Sequence, residues 1–532
     1  MKKALLLVVL LFMASLCFAQ EDAWVYFKDK PDTVYYLANP TAMLSQKALD
    51  RRAKQNILLD SKDVPLHEAY IDAIKASEGV TVMAKSKWLN ALHIRGLRDD
   101  VELLKEFDFV DYIDYADKSL NSSRASIQQN LSSVKEELET LTDFDYGASS
   151  NQIQMLNGHL LHQSDYTGAG VTIAVLDAGF PGVNTTQPFQ RMRDKGLILG
   201  GYDFVAHSDN FYQGGTHGTL VLSTMAGYVE DQLIGTAPDA FYYLFRTEDA
   251  TSENPVEESY WVEAAEVADS LGVDVINTSL GYFIYDNGRY SHTYEQMDGQ
   301  TAFISRGANI AVSRGMFCVV SAGNSANTVN RHIAAPADAQ DVLTVGAVDM
   351  NEIYVSFSSV GPTADNRIKP DVMARGYQAT VTTPEGNMGV SSGTSFSSPI
   401  TAGLVACLWQ ALPDKTNAEL RRLIKESADR YNTPDNQYGY GVPDFNFAMQ
   451  KGMGLTDGNF IVYPNPTDGI VHLIFPKNLQ RTTVTIFNEL GQRVSEQNIT
   501  LANPSFDISQ LATGIYSYSM EGTSQKGRII KQ

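Results

Sequence analysis

Five short runs in the middle of the chain are apolar or β-branched at almost every position: residues 171–176 (Val-Thr-Ile-Ala-Val-Leu), 241–245, 273–276, 316–321 and 342–347. A strand that faces water on one side alternates apolar and polar residues. A run without alternation must be buried on both faces, as in a parallel sheet covered by helices. Between the runs, residues 258–269 and 401–412 have helical patterns. The block from 151 to 450 is therefore expected to be α/β, a mostly parallel sheet flanked by helices.

The chain has 532 residues, too many for one ordinary core, so the flanks are expected to fold separately. Residues 1–19 read as a signal peptide. Lys2 and Lys3 precede an apolar run too short to span a membrane, which ends at the small residue Ala19. Residues 20–116 alternate short strands (23–27, 80–84, 91–95, 110–115) with helices (66–76, 99–107). That is a β-α-β-β-α-β order, a small α+β split-βαβ domain. Residues 117–150 are polar and read as a linker open to proteolysis. A Gly-rich break at 451–458 precedes an all-β pattern over 459–532, expected to be a small sandwich with strands at 469–475, 482–487 and 515–520.

The formal charge of −21, from 41 basic and 62 acidic residues, argues against nucleic acid as a partner, since an acidic chain repels phosphate backbones. No segment after the leader is long and apolar enough to span a membrane. Beyond Cys17 the cysteines are Cys318 and Cys407, both in apolar runs and read as buried thiols. The zinc patterns C-x-x-C and H-E-x-x-H are absent from the sequence.

Three segments of the central block set a reactive side chain beside glycine. Residues 175–179 (Val-Leu-Asp-Ala-Gly) put Asp177 at the end of an apolar strand, where parallel sheets build active sites. In residues 214–219 (Gly-Gly-Thr-His-Gly-Thr), His217 opens a helix. Residues 392–399 (Ser-Gly-Thr-Ser-Phe-Ser-Ser-Pro) put Ser395 near the N-terminus of a buried helix, with Pro399 read as an early helical residue. Each segment alone has an ordinary structural reading: a cap, a core histidine, an N-cap serine. Together they supply a nucleophile, a base and an orienting carboxylate, in the order Asp…His…Ser.

At these residues the chain resembles the subtilase family. Matches at 175–179, 216–219, 235–238 (Gly-Thr-Ala-Pro), 277–281 (Asn-Thr-Ser-Leu-Gly), 321–324 (Ser-Ala-Gly-Asn) and 393–399 carry the resemblance across roughly 150–450. It implies a subtilisin-like fold and a serine endopeptidase acting on protein or peptide substrates. Asp177, His217 and Ser395 would form the triad, Asn324 would donate to the oxyanion, and Ser279, Leu280 and Gly281 would line the substrate cleft. The chemistry requires no cofactor. Structural calcium occurs in the family, but no ligands are assigned. Two departures stand out. Ala178 replaces the Ser or Thr usual after the catalytic Asp. A Tyr-rich stretch after Gly281 (Tyr282, Tyr285, Tyr290, Tyr294) either shapes the cleft or packs as a surface loop.

The split-βαβ block resembles the inhibitory propeptide of subtilases, with an accessory binding domain as the alternative. Residues 462–469 (Val-Tyr-Pro-Asn-Pro-Thr-Asp-Gly), 488–494, 511–516 and 526–531 resemble the sorting domain of the type IX secretion system of Bacteroidota. That implies secretion through the periplasm and contact with the secretion machinery; an adhesive or carbohydrate-binding sandwich is the alternative. A lipase-like hydrolase does not fit, because the serine motif is not G-x-S-x-G and the chain order differs. An inactive, subtilase-like binding protein is the competing class, and the filled catalytic positions argue against it.

Overall fold

A computed structural model describes residues 20–121, 144–454 and most of 460–531. The leader and most of the polar linker lie outside the described residues. The first unit is a four-stranded antiparallel sheet. Its strands are β1 (Glu21–Phe27), β2 (Val80–Ser86), β3 (Ala91–Gly96) and β4 (Val110–Tyr115), in the spatial order β2-β3-β1-β4. One face buries Val25, Leu92 and Ile94 against helices Glu68–Lys75 and Arg98–Leu103.

The split-βαβ pattern holds, but two helices are inserted before its first expected helix: α1 (Thr33–Ala38) and α2 (Gln46–Lys54). The second reads QKALDRRAK, with no apolar stripe to betray it. It is held by ion pairs. Arg51 and Arg52 are buried, and both reach Asp269 in the central block.

The central unit is a seven-stranded sheet, parallel throughout. Its strands are β5 (Thr172–Asp177), β6 (Ile198–Asp203), β7 (Phe241–Arg246), β8 (Val275–Thr278), β9 (Phe317–Ser321), β10 (Leu343–Val348) and β11 (Val372–Arg375), ordered β11-β10-β9-β8-β5-β7-β6. Every residue of β5, β8, β9 and β10 is buried, as the absence of alternation required. One face packs on helices α3 (His217–Ala226) and α6 (Thr394–Ala411), the other on α4 (Val256–Leu271) and α5 (Phe303–Ser313). Cys318 and Cys407 are buried free thiols. The edge strand β6, ILGGYD, is weakly apolar and carries two glycines, so the sequence pattern passes over it.

Helix α6 begins at Thr394, so Pro399 lies at its sixth position rather than in the first turn expected. There a proline deprives the carbonyl four residues back of its donor. That carbonyl belongs to Ser395, and the Ser279 hydroxyl donates to it at 2.9 Å instead.

The first unit lies on the α4–α5 face. The Trp24 indole donates to Ser259 Oγ (2.8 Å), and its ring stacks on Phe303. The buried Glu266 carboxylate accepts from Ser86 Oγ and from the backbone N–H groups of Lys87 and Trp88 (2.6–2.9 Å). Part of the Tyr-rich stretch lies at this junction. Tyr282, Tyr285 and Tyr290 are buried, Tyr290 donates to Glu21, and Arg289 pairs with Asp117 and Glu21.

The last unit is two antiparallel sheets, of three and four strands, around a core that includes Phe460, Val471, Ile486 and Ile529. The Gln450 amide donates to the Phe475 carbonyl across the break. Among the described residues no helix is long and apolar enough to cross a membrane.

Candidate active site

The C-terminal ends of β5, β8 and β9 and the N-termini of α3 and α6 converge on one rim of the sheet. Asp177 is the last residue of β5 and is fully buried. His217 is the first residue of α3, its side chain 37% exposed. Asp177 Oδ1 accepts from His217 Nδ1 at 2.8 Å and from the Ala178 backbone N–H at 2.8 Å. That bond fixes the imidazole tautomer and leaves Nε2 to face the cleft. Asp177 Oδ2 has no hydrogen-bond partner among the described residues. With alanine at 178, no hydroxyl is available there. Burial alone would lower the His217 pKa, but the Asp177 carboxylate, followed by Glu248, outweighs it and raises the value.

Ser395 stands in the first turn of α6. Its hydroxyl donates to the Ser279 carbonyl at 3.3 Å, and among the described residues no hydrogen bond joins it to His217. The Phe396 ring, next in the chain, lies 6.2 Å from the imidazole. A serine–imidazole bond is often long without substrate and tightens around it.

Asn324 follows the end of β9. Its Oδ1 accepts from the Thr394 backbone N–H (2.9 Å) and from Thr394 Oγ1 (3.0 Å). The carboxamide is thereby oriented with its N–H₂ turned away from Thr394. A methyl group placed on Gly393 would come 3.4 Å from Asn324 Nδ2 and 3.7 Å from Ser395 Oγ, so the two groups border the same small space.

Ser279, Leu280 and Gly281 follow β8. Leu280 is buried in the core on the α4–α5 face. A methyl group placed on Gly281 would be in ordinary contact with the Ala334 methyl at 3.5 Å. Tyr282 and Ala335 exchange backbone hydrogen bonds beside it (2.7 and 3.2 Å).

A family model for the subtilase family matches residues 168–441, more than half of the chain. The chain belongs to the subtilase family. This subtilase carries two further matched domains: residues 22–133 match the peptidase S8 propeptide domain of Bacteroidota, and residues 461–532 match a secretion system C-terminal sorting domain. It is 32% identical to subtilisin NAT of Bacillus subtilis subsp. natto over 301 residues, 56% of this chain and 70% of that protein. It is 26% identical to M-protease of Shouchella clausii over 394 residues, 73% and 90% of the two chains. Among solved structures, that of MycP1 with its N-terminal propeptide removed aligns with 56% of this chain and 96% of its own, at 26% identity and a TM-score of 0.45. The subtilase is a secreted serine endopeptidase with a subtilisin-like fold.

Two neighbours of the site are not singled out by the sequence. Thr394, inside the Gly-Thr-Ser segment, orients the Asn324 amide. Glu248, two residues past β7, accepts from the Tyr282 hydroxyl at 2.7 Å. Burial, with Glu253 nearby, pushes the Glu248 carboxyl up to about 7. Burial and Glu248 push Glu257 to about 9.

Proposed function

We propose that this subtilase hydrolyses peptide bonds through an acyl-enzyme formed on Ser395. His217 Nε2 takes the hydroxyl proton as Ser395 Oγ bonds to the scissile carbonyl carbon. Asp177 holds the tautomer and stabilises the imidazolium. The same proton then passes from His217 to the departing amine. A water, deprotonated by His217, releases the acid product and restores Ser395.

The Asn324 amide and the Ser395 backbone N–H donate to the oxyanion. A donor of this kind in subtilisin is worth about 2.7–4 kcal/mol. The extended substrate lies along Ser279, Leu280 and Gly281. No metal or cofactor takes part in these steps. The observation that carries the reading is the orientation of two groups, the His217 imidazole and the Asn324 amide. Asp177 fixes the His217 ring at 2.8 Å, and Thr394 turns the Asn324 amide toward Ser395.

Residues 20–116 act as the propeptide, and type IX machinery reads the C-terminal domain as an address. The test is a fluorophosphonate probe with casein hydrolysis as the second readout. Wild-type protein is labelled at Ser395 and digests casein. Ser395→Ala does neither and keeps its N-terminal unit covalently attached. Casein hydrolysis by folded Ser395→Ala would overturn the assignment.

A further inference from the structure

We infer that Glu248 makes the cleft select a lysine or arginine as the second residue on the acyl side of the scissile bond. The inference rests on the peptidase reading above and names its substrate class.

Glu248 is tied to the site from two directions. The Thr247 backbone N–H donates to the Asp177 carbonyl at 2.9 Å, which brings the start of the post-β7 loop to the rim beside the triad. The Tyr282 hydroxyl, one residue beyond Gly281, donates to Glu248 Oε2 at 2.7 Å. The carboxylate therefore stands between the His217 side of the cleft and the segment along which substrate lies. It is near enough for its charge to act on the imidazole.

An extended peptide points successive side chains to opposite sides. With substrate along Ser279, Leu280 and Gly281 as proposed above, the residue whose carbonyl meets Ser395 sends its side chain to the Gly281 side of the cleft. The preceding residue then points the other way, over His217 and toward Glu248.

Burial and the neighbouring Glu253 raise the Glu248 carboxyl to about 7, so it is ionised in part near neutral pH, and it lacks a countercharge. Among the described residues no basic side chain is ion-paired with Glu248, with Glu253 on the same loop, or with Glu257 in the first turn of α4. The nearby Arg246 is engaged by Asp203 at 2.9 Å and Asp249 at 3.8 Å. A substrate ammonium or guanidinium would supply the missing charge and donate to the free lone pairs of Glu248.

The experiment uses the processed enzyme and a set of fluorogenic peptides identical except at that second residue: lysine, arginine, norleucine or glutamate. Norleucine keeps the lysine stem without its charge. A hydrogen bond to a charged group in a half-buried site predicts a kcat/KM for lysine roughly ten- to a hundred-fold above norleucine. Glutamate should fall below norleucine. In Glu248→Gln the lysine-to-norleucine ratio should drop to within about threefold of one. Taking the ratio within each protein cancels any general loss of activity.

Equal rates for lysine and norleucine in the wild type overturn the inference. So does a preference that survives in Glu248→Gln. If that variant does not fold, the wild-type ratio and its value in Glu248→Asp, expected to stay above one, decide. If no peptide is cleaved and the fluorophosphonate fails to label, the peptidase reading itself is wrong, a result distinct from either outcome at Glu248.

Discussion

Replacing Asp269 with asparagine should loosen the N-terminal unit from the catalytic unit without touching the active site. Asp269 is fully buried at the C-terminal end of α4. It accepts from Arg52 at 2.7 and 2.9 Å and from Arg51. Burial by itself would raise its pKa, but Arg52 and Arg51 overcome this and hold it below the ordinary carboxylate range. The ion pairs therefore persist above that range and are lost only as pH falls through the lowered value. Breaking a buried pair by removing one partner costs about 3–5 kcal/mol, because the other charge stays behind.

Here the lower end applies. Arg52 keeps Asp63 at 2.7 Å, and Arg51 keeps the carbonyls of Val273 and Arg314. About 3 kcal/mol corresponds to roughly a hundred-fold weaker association. The assay is to nick the linker with an added protease and follow residues 20–121 by size exclusion across a dilution series. In the wild type the fragment co-elutes with the core at concentrations where the variant releases it. A fragment held equally tightly by folded Asp269→Asn would refute the argument and leave the sheet-on-helix contact as the whole anchor.

Asn324→Leu should lower kcat roughly 10²–10³-fold with little change in KM, since its bond belongs to the transition state; steady-state kinetics on a peptide ester check it. The rate should fall on acidification through a pKa above the ordinary His value of about 6.5, because neutral imidazole is the base and His217 is raised; a pH–kcat/KM profile with its acid limb below 6 would contradict this. Lys369 is buried and donates to Asp371, Thr344 Oγ1 and the Val342 carbonyl (2.6–3.1 Å); Lys369→Met leaves Asp371 paired with Lys425 at 2.7 Å and so should cost about 3 kcal/mol, read as a lower urea midpoint. A chain ending at Met453 should keep near-normal peptidase activity when purified but accumulate in the periplasm of its native host, measured by fractionation.

The parallel core was legible because β5, β8, β9 and β10 are buried on both faces and so carry no polar positions to blur the pattern. The segments around Asp177, His217, Ser395 and Asn324 were legible because each needs glycine next to a reactive side chain. What escaped was whatever depends on distant partners. Helix α2 is held by Arg51 and Arg52, whose shared counterion, Asp269, lies more than 200 residues away. The outer strand Arg493–Thr500 of the last unit is too polar and exposed to stand out. Glu248 sits in no motif, and its place beside His217 follows from the pairing of β7 with β5. Pro399 was misplaced because α6 starts five residues before it, at Thr394, which puts the proline beyond the first turn.

The bond from Ser279 to the Ser395 carbonyl ties two positions into one inherited unit. A proline at 399 creates a demand for a donor, and the hydroxyl at 279 meets it. Among relatives, an alanine at 399 would bring back the helix's own N–H and free position 279 to drift. A relative that keeps the proline but loses the hydroxyl would leave a buried carbonyl unsatisfied at the base of its nucleophile. Substitutions at 279 and 399 should therefore be epistatic, each tolerated or harmful according to the other. A survey that scored position 279 as a substrate contact alone would misjudge why it is restricted.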